Sequence, residues 1–498
     1  MKSSRTTPLE ITKNEFRKVG HDLIDTIGEF NATIRDKKVT VGAKPAKIRS
    51  LLGQKSLPEN GIHISELVAK SSALLFENSL FNGHPKFMGY ITASPAPIGI
   101  LGDLLASATN PNVGAYILSP VATEIEKQTI QWLCEFIGVP SSYGGIFVSG
   151  GNMANFTAFL AARTAKAPKN FKEEGLLNSS KKLIVYCSKT THTWIEKAAI
   201  LFGHGSKSVR WIATDSNNKM EVAALEIAIR KDIEDGYQPF LVAGTAGDVS
   251  TGTVDNLEAL ATICKSYDLW FHIDGAYGVP AAIVPELKQL FQGIEEADSI
   301  AIDPHKWLYS PLEAGCTLVK NPKHLVDAYS SHPEYYNFGN ANDEQNFYEY
   351  GLQNSRGFRA LKVWLMLQQV GRKGYAKMIK EDVELSQFLF DLAQQHPELE
   401  AVTQNLSITT LRYVPLNISL KIEDKEAYLN KLNETLDNKL QAGGQLFMSN
   451  AIVNSKYCLR SCIVNFRTSK KDIEEIIEII IDEGKVVHKT LHHNYNNS

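Results

Sequence analysis

Two segments hold residue types from which covalent cofactor chemistry could be built: Ser299-Ile-Ala-Ile-Asp-Pro-His-Lys-Trp307 and Phe271-His-Ile-Asp-Gly-Ala-Tyr277. In each, polar residues follow a short apolar run, where a buried strand would end. The first supplies Lys306 and the second Asp274. A lysine amine condenses with an aldehyde, and a carboxylate keeps a pyridine nitrogen protonated. Those are the two groups that pyridoxal 5'-phosphate (PLP) requires of a protein. The plainer alternatives are a surface lysine and a helix-capping aspartate. Ala276, two residues beyond Asp274, is small enough for a flat ring to lie against.

Three further strand-end motifs add to this pair. Ile146-Phe-Val-Ser-Gly-Gly-Asn-Met-Ala-Asn155 reads as strand, glycine turn and helix. The amides of Gly150, Gly151 and Asn152 would open that helix toward an anion such as a phosphate. His192, in Cys187-Ser-Lys-Thr-Thr-His-Thr-Trp194, could stack on a cofactor ring and hydrogen-bond a substrate carboxylate. Thr245 begins a loop to Ser250 beside the same crevice. There is no GxSxG elbow, HExxH pair, GxxxxGK[ST] loop or dinucleotide fingerprint to support a rival chemistry.

These motifs need a scaffold that brings strand ends together. Short apolar runs at Leu183–Tyr186, Pro239–Ala243, Leu269–Ile273 and Ser299–Ile302 alternate with helical patterns. The helical patterns are Asn152–Ala165, Thr193–Leu201, Met220–Lys231 and Asn256–Ser266. Such alternation predicts an α/β domain with a mainly parallel central sheet, whose ligands lie at the strands' carboxyl ends. Before it, residues 1–95 read as a helical segment, with an amphipathic run at Ile62–Leu75. Residues 96–375 form the large domain, which closes on a helix around Ala360–Val370. Residues 376–498 read as a smaller α+β domain. Its strands are expected at Leu411–Ile422 and Tyr457–Phe466, its helices at Lys425–Leu440 and Lys471–Asp482, and its polar tail His488–Ser498 is expected to fray.

At 498 residues the chain calls for more than one domain, and a net charge of -3 argues against a dedicated nucleic-acid binder. No run reaches the length of a membrane span, and the first residues lack the apolar core of a signal peptide. The six cysteines include no CxxC pair and no neighbouring His cluster, so they read as buried free thiols rather than a metal site. A reducing compartment, the cytoplasm, is expected.

With these motifs together, the chain resembles the group II PLP-dependent amino acid decarboxylases, which include the aromatic-L-amino-acid, histidine and glutamate decarboxylases. The resemblance spans about His84 to Arg460. It rests on HPKFMGY at 84–90, SPVATEIE at 119–126, SGGNMAN at 149–155, HIDGAYG at 272–278, DPHKW at 303–307 and SRGFRALKVW at 355–364. It implies a type I PLP-dependent (aspartate-aminotransferase-like) fold and a homodimer, formed in part by residues 1–95, with active sites at the interface. It also implies that Lys306 carries PLP as a Schiff base, that Asp274 pairs with the pyridine nitrogen and that His192 stacks on the ring. Gly150, Gly151, Asn152, Thr245, Ala276, Asp303 and His305 complete the expected cofactor contacts. Tyr335, in the loop beyond the lysine, corresponds to the family's mobile tyrosine and is expected to protonate the substrate's Cα. Tyr90, Thr92, Tyr116 and Ser355, with His192, are the expected substrate contacts.

Asp303 stands where the aromatic decarboxylases have Asn, and Asp248-Val249 where a threonine is expected. Ala115 replaces a bulky aromatic residue. The implied reaction is decarboxylation of an L-amino acid, with an aromatic side chain favoured, to an amine. An aldehyde synthase or carbon–carbon lyase on the same scaffold is the first alternative, and a non-catalytic PLP-binding protein the second.

Overall fold

A computed structural model describes residues 7–53, 56–168, 171–176, 181–331, 344–418 and 424–496. Its largest sheet comprises β1 (Gly144–Val148), β2 (Leu183–Ser188), β3 (Val209–Ile212), β4 (Gln238–Thr245), β5 (Trp270–Asp274), β6 (Ser299–Ile302) and β7 (Gly315–Val319). Their spatial order is β1-β7-β6-β5-β4-β2-β3. Strands β6, β5, β4, β2 and β3 are mutually parallel, and β7 pairs antiparallel with both β6 and β1. Every residue of β2, β5 and β6 is buried, as a sheet covered on both faces requires. The covering helices include Gly151–Lys166, Trp194–Leu201, Val222–Glu234 and Leu257–Ser266. The four apolar runs that alternate with helical patterns are β2, β4, β5 and β6, each within two residues of its expected ends, and the strand read at Ile146 is β1.

The smaller sheet is antiparallel: β8 (Leu399–Asn405), β9 (Ile408–Tyr413), β10 (Ser449–Val453) and β11 (Lys456–Cys462), in the order β10-β11-β9-β8. Three expectations change here. The strand read at Tyr457–Phe466 stops at Cys462. The strand read at Leu411–Ile422 starts earlier and stops at Tyr413, because Pro415 cannot donate to a ladder; residues 419–423 lie outside the described ones. The tail expected to fray from His488 is helical to Asn496, as part of the helix Lys470–Asn496. Its apolar face, including Ile476, Ile480 and Val487, is buried, and His488 Nδ1 meets Tyr428 Oη at 2.7 Å.

The two cores share the long helix Ala360–Gln395, which bends where Gly371 adopts φ +65°. Ala360, Val363, Met366, Tyr375 and Ile379 enter the core of the large sheet, whereas Leu389 and Ala393 enter that of the small one. The boundary expected at 375 lies four residues after the break at Gly371, in a segment that serves both cores. Within the large domain, an ion pair joins Arg356 to Glu126, both essentially inaccessible to solvent, with 2.5 Å between Nη2 and Oε1. Arg356 also donates to the carbonyls of Val113 and Phe147, and Glu126 accepts from the Phe147 amide. Three motifs far apart in sequence thus meet at one charged contact.

The amino-terminal helices behave differently. Lys13–Thr33 and Ile64–Asn78 each bury one residue, Val19 and Ser72. Phe16, Leu67 and Leu75 on these helices are exposed, as are Leu104, Leu105, Ile117, Leu118 and Val121 farther along the chain. Among the described residues no helix is long and apolar enough to cross a membrane. All six cysteines are free and buried.

Candidate active site

The carboxyl ends of β1, β2, β4, β5 and β6 open onto a cavity of about 780 Å³, and all five strand-end motifs line it. Lys306 enters from the turn after β6, with its side chain 23% exposed, which leaves the amine reachable. Asp274 closes β5 and is buried. Its Oδ2 accepts the Trp194 indole N–H at 2.7 Å, and Oδ1 accepts the Ala276 amide at 3.3 Å. A carboxylate at the end of an apolar strand is thereby held in one orientation and kept available to a cationic partner.

His192 lies in the loop after β2, and its Nδ1 accepts the Trp194 backbone amide at 3.3 Å. The ring proton is therefore on Nε2, a donor free for a ligand. Burial holds the His192 pKa below its usual value; Asp274 opposes this and Lys306 adds to it. The imidazole is neutral near pH 7. Trp194 thus holds both the carboxylate and the imidazole, a double role that nothing in its sequence position reveals.

At the end of β1, Gly150 adopts φ +135°, a conformation that L side chains rarely take. Gly151 opens the helix Gly151–Lys166, and a Cβ on it would lie 2.5 Å from the Asp303 carboxylate. Bare backbone at the start of a long helix is a fit cradle for a phosphate. With an amine at Lys306 and a carboxylate at Asp274, the residues present match the three anchoring points of PLP: phosphate, aldehyde and ring nitrogen.

Asp303, set behind the cradle, is 1% exposed, with Oδ2 3.2 Å from Lys306 Nζ and 3.7 Å from His305 Nε2. Neither of its oxygens accepts a hydrogen bond among the described residues. His305 Nδ1 meets the Ala314 carbonyl at 2.7 Å, and burial lowers the His305 pKa against the opposing charge of Asp303. Thr245 Oγ1 lies 3.2 Å from Thr191 Oγ1, and Ala276 is part of the cavity wall. The Asp248 carboxylate is taken up by its own loop, accepting the amides of Ser250, Thr251 and Thr253. It shapes the loop rather than facing the cavity with free oxygens.

Of the expected substrate contacts, Tyr90 and Thr92 line the cavity with His192. Tyr116 and Ser355 do not. Tyr116 borders a separate surface hollow with Pro120, Val121 and Glu124, and Ser355 is exposed. Tyr335 lies outside the described residues. The small domain supplies residues that sequence reading did not single out: Ser449, Asn450 and Arg460. Arg460 is 2% exposed and donates from Nη1 to the Tyr90 carbonyl and Ser449 Oγ, while its Nε and Nη2 meet no acceptor among the described residues. Only the packing of the two domains could have placed them here.

A family model described as the pyridoxal-dependent decarboxylase conserved domain matches residues 45–413. The aromatic-L-amino-acid decarboxylase of Bacillus atrophaeus is 33% identical over 472 residues, 94% of this chain and 95% of that protein. A phenylacetaldehyde synthase of Arabidopsis thaliana is 28% identical, across 95% of this chain and 97% of its own length. The solved structure of Catharanthus roseus tryptophan decarboxylase with L-tryptophan superposes with a TM-score of 0.85 at 25% identity, covering 95% of this chain and 98% of that one.

Proposed function

This chain belongs to the pyridoxal-dependent decarboxylase family and is a PLP-dependent carboxy-lyase acting on an amino acid, and from that premise we propose an aromatic L-amino acid as its substrate. The convergence of Lys306, Asp274 and the Gly150–Gly151 cradle in one cavity carries the mechanistic reading. When bound, PLP supplies an aldehyde for the substrate amine and a ring that receives the electron pair left when carbon dioxide departs.

The protein's part is positioning and proton transfer. Lys306 would hold the cofactor through its amine. Asp274, steadied by Trp194, would hold a proton on the pyridine nitrogen. The first turn of Gly151–Lys166 binds the phosphate through Gly151 and Asn152. His192, with its donor on Nε2, is the group a substrate carboxylate would meet, and the Arg460 cation lines the same cavity. Orienting that carboxylate is how these residues would select decarboxylation. Tyr335 then delivers a proton to Cα. The aromatic preference is supported by the relatives named above and by Tyr90 in the cavity wall.

A homodimer is part of the same reading. The exposed apolar residues of the amino-terminal helices and of residues 104–121 call for a partner surface. Tyr116 lies in that exposed region. Asn354, next to Ser355, packs against Gly114, so Ser355 lies close by. Both would therefore serve the neighbouring subunit's cavity. Six free buried thiols fit a cytoplasmic enzyme.

An aldehyde synthase is the rival, favoured by the phenylacetaldehyde synthase relative. Purified holoenzyme supplied with tyrosine, tryptophan, phenylalanine, glutamate and histidine should release carbon dioxide and amine in equal amounts from the aromatic three. Aldehyde and ammonia as main products would replace the decarboxylase reading. Turnover of glutamate or histidine alone would replace the aromatic one.

A further inference from the structure

Lys306 is followed by two aromatic residues whose polar tips meet one buried carboxylate. Trp307 Nε1 donates to Asp382 Oδ2 at 2.8 Å, and Tyr309 Oη donates to the same oxygen at 2.6 Å. Asp382 belongs to the long helix, which also holds this loop through Tyr375 Oη, bonded to the Leu308 carbonyl at 3.2 Å. The Trp307 ring stacks on Tyr277, with 5.0 Å between centroids, and Tyr277 lies on the same strand-end turn as Asp274. Tyr309 adopts φ +59°, a backbone conformation uncommon outside glycine that its surroundings must enforce. For stability alone, an apolar side chain in place of Asp382 would serve as well, because a buried carboxylate with only neutral donors is poorly compensated.

We propose that Asp382 is a positioning residue for Lys306: when ionised it draws Trp307 and Tyr309 onto the long helix and so fixes the direction in which the lysine leaves its turn. The inference rests on Lys306 being the lysine that bears the cofactor.

Burial pushes the Asp382 pKa up to about 7, while Tyr309 and Trp307 pull it down and Glu381 pushes it up. The other ionisable groups facing it are Tyr309 in the lysine turn and Cys462 on β11, both raised by burial and neutral in this range. Tyr375, on the same helix, is pushed up by burial too. The folded-state value exceeds that of an unfolded carboxyl, about 4. The stabilising contribution of Asp382 is therefore complete below that value and is lost as pH rises through about 7. The lysine turn is clamped by charge only where that charge costs stability. A purely structural residue would show no such opposition.

Wild-type, Asp382→Asn and Tyr309→Phe holoenzymes are compared between about pH 5.5 and about pH 8.5. The readouts are turnover, melting temperature and the visible circular dichroism of the bound cofactor, which reports how Lys306 holds it and needs no substrate. In wild type, turnover and dichroism should step upward through a midpoint near 7. Asp382→Asn should lose the step and turn over about tenfold more slowly at about pH 8, with an equal or higher melting temperature. Tyr309→Phe removes a donor that lowers the Asp382 pKa, so its midpoint should move to higher pH; this variant decides the matter if Asp382→Asn fails to fold. An unchanged step in Asp382→Asn, an unmoved midpoint in Tyr309→Phe, or losses that merely track unfolding would overturn the proposal. Lys306→Ala is the control: if its cofactor band persists, the assignment of the cofactor lysine falls, whereas a lost band with a normal Asp382→Asn profile rejects the positioning role alone.

Discussion

Trp194 donates its indole N–H to Asp274 and its backbone N–H to His192, and only the first of these bonds depends on the side chain. Trp194→Phe should therefore leave His192 in place and free Asp274 to rotate. A lost hydrogen bond to a charged group costs about 1.5–3 kcal/mol, so PLP affinity should fall roughly tenfold or more in a fluorescence titration. Tyr335→Phe tests the other end of the reaction. It should bind PLP as wild type does and divert product from amine toward aldehyde and ammonia, measured by chromatography; an unchanged amine yield would remove Tyr335 from the mechanism. Lys306 and Asp274 were legible in the sequence because a polar residue ending an apolar run is conspicuous. Trp194 and Arg460 were not, because their roles depend on contacts with residues 80 and 370 positions away.

At the scale of elements, the motifs SPVATEIE and SRGFRALKVW make no direct contribution to the cavity wall, yet they are joined by the pair Glu126–Arg356. Glu126 also accepts the Phe147 amide, so the pair anchors β1, the strand that delivers the Gly150–Gly151 turn. Glu126→Gln leaves a buried guanidinium without a counter-charge and should cost about 3–5 kcal/mol in denaturant unfolding. Replacing both partners by apolar residues of similar volume should recover most of that loss. Strands β2, β4, β5 and β6 were readable as unbroken apolar runs. The edge strand β3 has four residues with only two buried, and β8 buries only its first residue, so neither shows the pattern that marks a covered strand.

For the whole molecule, the parallel sheet and the small α+β domain followed from alternation and its loss along the chain. What alternation could not show was the exposed apolar surface left on a single chain, or that Tyr116 and Ser355 stand away from the cavity they were expected to line. Leu104→Asp combined with Val121→Asp places charge on that surface, where both residues are more than half exposed, 54% and 72%. The expected outcome is a monomer by sedimentation that keeps its fold by circular dichroism and loses turnover. A monomer with full turnover would show that each cavity is complete within one chain.

The helix Ala360–Gln395 gives side chains to both hydrophobic cores. Neither core can come apart without stripping a wall from the other, so the two domains share one thermodynamic fate. Calorimetry should record a single heat-absorption peak for the chain, whose van't Hoff enthalpy approaches the calorimetric one, rather than two separate transitions. Weakening the small domain far from the cavity, for example by Leu436→Ala, should then lower the melting temperature of the cofactor-binding domain as well.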